Sequence, residues 1–314
     1  MLVALGANVL IAVAKAVGGL VSGSPALLSE AAHSVADTLN EVFLLAALRR
    51  SRRPPDRRHP FGYGRERYFW SLLAAVGIFV MGGCFSFFQG AEALRGGAQE
   101  SHRGYAVGLA VLAVALASEG TSLLRALHQV HGQQGTAAEI LRDPALRTVV
   151  AEDGAAVLGV VLAIVGMVLH MVTGNVAWEA SASLAIGALL VCVAYVLGRD
   201  ARDQLIGKAA DPAMSHRISV LLEEQPEIDS VEQLLTMELG LDSYLVAARV
   251  DLVPGLDSEE VEEAAIRIKR SVASTVPQAH QIFLDITDAP TWAAARRRHG
   301  EEQGPAAPGE RGGT

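Results

Sequence analysis

Residues 23–41 read Gly23-Ser24-Pro25-Ala26-Leu27-Leu28-Ser29-Glu30-Ala31-Ala32-His33-Ser34-Val35-Ala36-Asp37-Thr38-Leu39-Asn40-Glu41, and the reading of this stretch decides the fold. It runs on through Val42-Phe43-Leu44-Leu45, so an imidazole and a carboxylate stand inside about twenty residues too apolar to sit anywhere but a membrane. A carboxylate at the centre of a spanning helix costs roughly 2.5–3.5 kcal/mol on insertion scales, so it is kept where it has a partner or a task. His33 and Asp37 are four apart and share one helix face, where one ion can reach both. The alternative reading is a hydrogen-bonded pair that locks two helices together. Asn40 falls near the same face with an amide to bond across helices, and Glu41 lies about 40° round from Asp37.

A second acidic pair, Glu152 and Asp153, occupies another apolar stretch. Adjacent residues point about 100° apart, so the two do not aim equally at one bundle axis. Asp153 is the preferred ligand. Glu152 either reaches the same site with its longer side chain or serves as a helix-pairing carboxylate. One imidazole with two or three carboxylates suits a divalent cation such as Zn, Fe or Mn, and a ligand set alone does not choose among them. Glu119, between Ser118 and Ser122, is a proton relay or a structural hydrogen-bond partner. Lys15 is its counter-ion, or snorkels to the interface.

Outward from these residues, six runs of about twenty apolar residues are long enough to span: 2–21, 28–48, 68–92, 104–126, 147–171 and 177–198. The first lacks the basic n-region and cleavage site of a signal peptide and reads as a genuine span. The connection from Arg49 to Arg67 carries eight arginines, the one from Arg125 to Arg147 three, and the exit after the sixth run Arg199, Arg202 and Lys208. The alternate connections hold only Arg95 and Arg103. This asymmetry places both termini in the cytoplasm of a multi-pass cell-membrane protein. Trp70 and Trp178 read as interfacial anchors.

The chain has 314 residues, 51% of them hydrophobic, with a polar last third. Its net charge of −8 gathers after Asp211 while the loops are basic, so nothing points to nucleic acid. Cys84 and Cys192 lie in apolar segments and offer neither a disulfide framework nor a CxxC knuckle, and no HExxH supports a metalloprotease. No cofactor is implied. The expected division is a transmembrane domain over 1–207, a cytoplasmic α+β domain over 208–290 and a disordered tail over 291–314. The middle part reads as a helix from Met214 to Glu224, strands over Ser230–Glu238 and Ser243–Val253 joined at Gly240-Leu241-Asp242, a helix over Ser258–Val272 and a strand over Gln281–Thr287. That order is αββαβ. In the arginine-rich loop, Asp56 and His59 precede Phe61-Gly62-Tyr63-Gly64 and make a possible second metal site, while His128 and His131 open the next such loop.

The turn Gly23–Leu28 leading into Glu30–Asp37, the loop His59-Pro60-Phe61-Gly62-Tyr63-Gly64-Arg65 and the acidic centre of the fifth run together resemble the cation diffusion facilitators, proton-coupled exporters of divalent metals. The resemblance covers about residues 1–290. It implies a six-span α-helical membrane protein with a ferredoxin-like cytoplasmic domain, acting as a homodimer that exports a metal, Zn²⁺ first, in exchange for protons. It also implies a tetrahedral site on His33, Asp37 and Asp153, with a fourth ligand expected where this chain has Val149. Glu152 is the replacement at hand. Asp56 and His59 match the loop site, where Tyr63 stands at a position often held by histidine. Glu232, Arg249 and Asp285 occupy roughly the places of the cytoplasmic histidines. The same mechanism with Fe²⁺ or Mn²⁺, and a non-transporting membrane sensor or scaffold, are the rival expectations.

Overall fold

A computed structural model describes residues 2–96, 102–132, 144–240 and 243–287. In a bilayer every backbone polar group must be satisfied within its own segment, so long apolar runs fold as helices. The helices are α1 (Leu2–Ser22), α2 (Pro25–Arg50), α3 (Glu66–Gly96), α4 (His102–Gly132), α5 (Pro144–Thr173) and α6 (Ala177–Ile206). Inside α3 the segment Ile78–Cys84 is a π-helix. Four of the helices overrun the expected apolar runs at both ends, and α1 and α6 at the C-terminal end only, because helical hydrogen bonding continues into flanks that a hydropathy window discards.

Six apolar spans are expected, and among the described residues five helices are long and apolar enough to cross a membrane: Leu5–Ser22, Glu66–Gly96, Gly104–His128, Glu152–Thr173 and Ala177–Ile206. The expected second span lies within α2, a helix of 26 residues that is long enough. Its Glu30, Asp37 and Glu41 take it out of the apolar class. The same carboxylates that make α2 a candidate site therefore hide it from a hydropathy count.

Two caps set how α2 enters. Gly23 takes φ 70° and its N–H bonds the Gly19 carbonyl, closing α1 with the left-handed residue that glycine tolerates best. Ser24 then caps α2, its Oγ accepting from the Leu27 N–H, with Pro25 in the first turn where its missing N–H costs nothing.

Contacts divide the described chain into two units, one formed by residues up to Pro54 together with Arg65–Leu205, the other by Pro55–Gly64 and the chain from Ile206. In the first, α2 packs against α1, α3 and α5, and α4 against α1 and α5. The seam is built of small and medium residues, with Ala26, Leu27, Leu112, Val160, Ala163, Ile186 and Leu190 wholly buried. Leu10 and Leu20 of α1 are 70% and 75% exposed, as side chains facing lipid are. Between α3 and α6, Gly83 and Gly187 bring backbones close: a Cβ at 187 would stand 3.2 Å from the Gly83 carbonyl.

The second unit runs α7 (Pro212–Glu223), β1 (Ile228–Gly240), β2 (Ser243–Leu252), α8 (Ser258–Thr275) and β3 (Gln281–Ile286). The sheet order is β1-β2-β3, antiparallel between β1 and β2 and parallel between β2 and β3. Ile218, Leu222, Val246, Val250, Ile268 and Val272 fill its core. The α8 helix opens with a capping box in which Asp257 accepts from the Glu260 N–H and Glu260 from the Asp257 N–H. Leu241, Asp242 and the expected tail over 291–314 lie outside the described residues.

Candidate metal site

Helix α2 carries the site's first wall because its spacing repeats on one face: Glu30, His33 and Asp37 are separated by three and four residues. His33 is 4% exposed, and its Nε2 lies 3.5 Å from Asp37 Oδ2. Helix α5 carries the second wall. Asp37, Glu41, Glu119, Glu152 and Asp153 line one polar cleft of about 270 Å³ between α1, α2, α4 and α5.

Within this cleft each α5 carboxylate has a neutral partner. Asn40 Nδ2 donates to Glu152 Oε1 at 3.4 Å, the cross-helix bond its position suggests, and Ser122 Oγ donates to Asp153 Oδ2 at 3.0 Å. Asn8 of α1 donates to Glu41 Oε1 at 2.6 Å. So Asp37, Glu152 and Asp153 share a cleft, with His33 beside Asp37. Among the described residues no three His, Cys, Asp or Glu side chains are gathered closely enough to hold an ion. The side chain of Val149 lies outside the described residues, and so does that of His131. His128 is exposed on α4.

Two buried clusters go beyond the sequence reading. In the first, Lys15 of α1 is 1% exposed, and its Nζ lies 2.7 Å from Glu119 Oε1 and 3.0 Å from Glu30 Oε2. Lys15 is thus the counter-ion of Glu119 and does not snorkel. Glu30 was in the quoted motif without a role; an acid one turn before His33 in an alanine-rich stretch was the signal. In the second, Glu179 at the start of α6 is fully buried. Its Oε1 accepts from Tyr105 Oη at 2.7 Å and lies 2.9 Å from His170 Nδ1, and its Oε2 accepts from Ser24 Oγ. Intramembrane position was the available signal there too.

Asp56 and His59 also meet, with Asp56 Oδ1 3.6 Å from His59 Nδ1. The same carboxylate accepts from the backbone N–H groups of Arg58 and His59 at 2.8 and 2.7 Å and from Tyr63 Oη at 2.7 Å. The His59 and Tyr63 rings stack with centroids 4.2 Å apart. These bonds, Tyr63 first, hold the Asp56 carboxyl below the usual carboxylate range. In the sheet, Arg249 of β2 pairs with Asp285 of β3 at 2.6 Å, and Glu232 Oε1 accepts from Ser230 at 2.8 Å.

A family model described as the cation efflux transmembrane domain matches residues 1–206. The chain is 34% identical over 246 residues to the proton-coupled zinc antiporter SLC30A9, mitochondrial, of Xenopus laevis, an alignment that covers 76% of this chain and 43% of that protein. It is 34% identical over 239 residues to metal tolerance protein C4 of Arabidopsis thaliana, covering 73% and 51%. Over nearly full length, 91% and 94%, it is 22% identical to the manganese efflux system protein MneP of Bacillus subtilis. The chain thus spans about half the length, or less, of the two more similar of these relatives.

Proposed function

Because the chain belongs to the cation efflux family, the cation diffusion facilitators, we propose that it is a secondary transporter that exports a divalent metal from the cytoplasm in exchange for protons. Zn²⁺ is the first substrate, in line with the name of the SLC30A9 relative. The observation that carries the reading is the cleft in which Asp37 of α2 and Glu152 and Asp153 of α5 face one another, with His33 alongside. In this reading α2 is the sixth span, both termini are cytoplasmic in the cell membrane, the αββαβ unit is ferredoxin-like, and two copies form a homodimer.

The chemistry supplies its own coupling. Carboxylates and imidazole shed protons to take a metal and regain them when it leaves, so one set of ligands carries both ions in alternation. Drawing the side chains onto an ion competes with the bonds that Asn40 and Ser122 make to Glu152 and Asp153. Glu119 then keeps a structural duty beside Lys15 and a relay duty toward the cleft it lines. Asp56 and His59 form at most a secondary loop site, since Tyr63 and two backbone groups already engage the carboxylate.

Mn²⁺ or Fe²⁺ is the second reading, favoured by the donor set: three carboxylates against one imidazole is oxygen-rich and suits harder cations. MneP, named for manganese, aligns over nearly its whole length. Proteoliposomes with an internal pH indicator, offered Zn²⁺, Mn²⁺, Fe²⁺ and Co²⁺ under a proton gradient, test the proposal. Saturable uptake of one ion with opposite proton movement is expected. No flux of any ion from folded protein would return the chain to the sensor or scaffold class.

A further inference from the structure

We propose that Glu30, anchored by Lys15, is the positioning residue for His33: it takes the Nδ1 side of the imidazole and leaves Nε2 as the nitrogen offered to the metal. The inference rests on the transport site assigned above. Metal-binding histidines almost always give their second ring N–H to a carboxylate, a carbonyl or water, and that partner fixes the tautomer and the ring's orientation.

The geometry supplies each part. Lys15, Glu30 and His33 are 1%, 0% and 4% exposed, so no bulk water competes. The Lys15 ammonium takes Glu30 Oε2 at 3.0 Å and turns the second oxygen away from itself. Among the described residues Oε1 makes no hydrogen bond, an uncommon state for a buried carboxylate oxygen. It faces His33 Nδ1 across 3.8 Å, while His33 Nε2 faces Asp37 Oδ2 at 3.5 Å. The imidazole therefore lies between a buried acid on one nitrogen and the cleft's acid on the other.

Helix α5 completes the arrangement by omission. Gly159 lies against this pair: a Cβ there would overlap Glu30 Oε1 and stand 3.6 Å from His33 Nδ1. A glycine at this point of α5 leaves the niche in which the carboxylate sits. The 3.8 Å separation exceeds a hydrogen bond, about 2.7–3.2 Å, and closes as the ring turns Nε2 toward an ion. A second acid on Lys15, Glu119 of α4, keeps the ammonium between two carboxylates so that it does not displace the metal.

Zn²⁺ binding by purified protein, measured by competition with a chelating dye, tests this together with the His33 tautomer read from ¹⁵N–¹H correlation spectra, assigned against His33→Ala. Wild-type His33 carries its proton on Nδ1. Glu30→Leu and Lys15→Met bind Zn²⁺ about 10- to 100-fold more weakly, the Nδ1–H signal is lost in Glu30→Leu, and Lys15→Arg restores most of the affinity. A purely structural role leaves the tautomer untouched. Should Glu30→Leu fail to fold, Glu30→Gln keeps the shape and one acceptor oxygen: a smaller loss with the Nδ1–H tautomer retained supports the proposal, and wild-type affinity overturns it. If His33→Ala abolishes binding while Glu30→Leu binds normally with the wild-type tautomer, the positioning role is wrong and the metal site stands. Normal binding by His33→Ala removes the site reading itself.

Discussion

Asn40 on α2 donates to Glu152 Oε1 on α5 at 3.4 Å, so an amide holds one of the cleft's carboxylates. A metal that draws Glu152 inward competes with this bond. At this length the bond contributes at the low end of the usual range, about 0.5 kcal/mol, close to twofold in an equilibrium constant. Asn40→Ala is therefore expected to tighten Zn²⁺ binding about twofold, read by dye competition. Unchanged affinity would assign Glu152 to helix pairing and leave Asp153 as the α5 ligand.

Glu179 is the hub of the second buried cluster, accepting from Tyr105 and Ser24 and meeting His170. Glu179→Ala removes the carboxylate that Tyr105 and Ser24 donate to and that His170 meets, and leaves Tyr105 and His170 their own contact at 3.1 Å, so the loss in this dry interior is about 1–3 kcal/mol. Thermal unfolding in detergent is expected to show a clear fall in midpoint while Zn²⁺ affinity of the folded fraction stays at wild-type level, because the cluster shares no residue with the cleft. A Glu179→Ala protein that melts like wild type would show the cluster to be energetically idle.

The loop bonds to Asp56 have a definite sign with pH. A carboxyl held below its usual value stabilises the loop at pH above the unfolded value, about 3.8, and that contribution is lost as pH falls through the lower folded value. Tyr63→Phe removes the hydroxyl that donates to Asp56, so the Asp56 titration, followed by carboxyl ¹³C shifts, is expected to move upward toward the ordinary range. An unmoved titration would assign the effect to the Arg58 and His59 backbone bonds alone.

Much of this was legible in the sequence, for physical reasons that differ by element. Five apolar helices are readable because backbone satisfaction in lipid leaves few options. The alternation of Ser243–Leu252 and the acidic start of α8 gave the helix and strand order of the second unit. That Asp37 and Asp153 line one cleft was foreshadowed because an acid inside an apolar run needs a reason. Apart from the cross-helix amide of Asn40 and the pairing of Lys15 with Glu119, what escaped was what depends on which helix faces which. Glu30 and Glu179 are ordinary letters until Lys15 and Tyr105 are brought to them from distant spans. Gly159 has meaning only through its neighbour on α2. The π-helix at Ile78–Cys84 carries no local signature that separates it from the α-helix on either side.

The central claim is that α2 and α5 together hold the transported ion, and the most direct measurement is coupled metal and proton flux in proteoliposomes of Asp37→Ala and Asp153→Ala beside the wild-type protein. Both variants are expected to fold and assemble as the wild type does while losing metal uptake and proton counterflow together. Wild-type flux through either variant would contradict the account, because no site built from those two helices survives the loss of its acid.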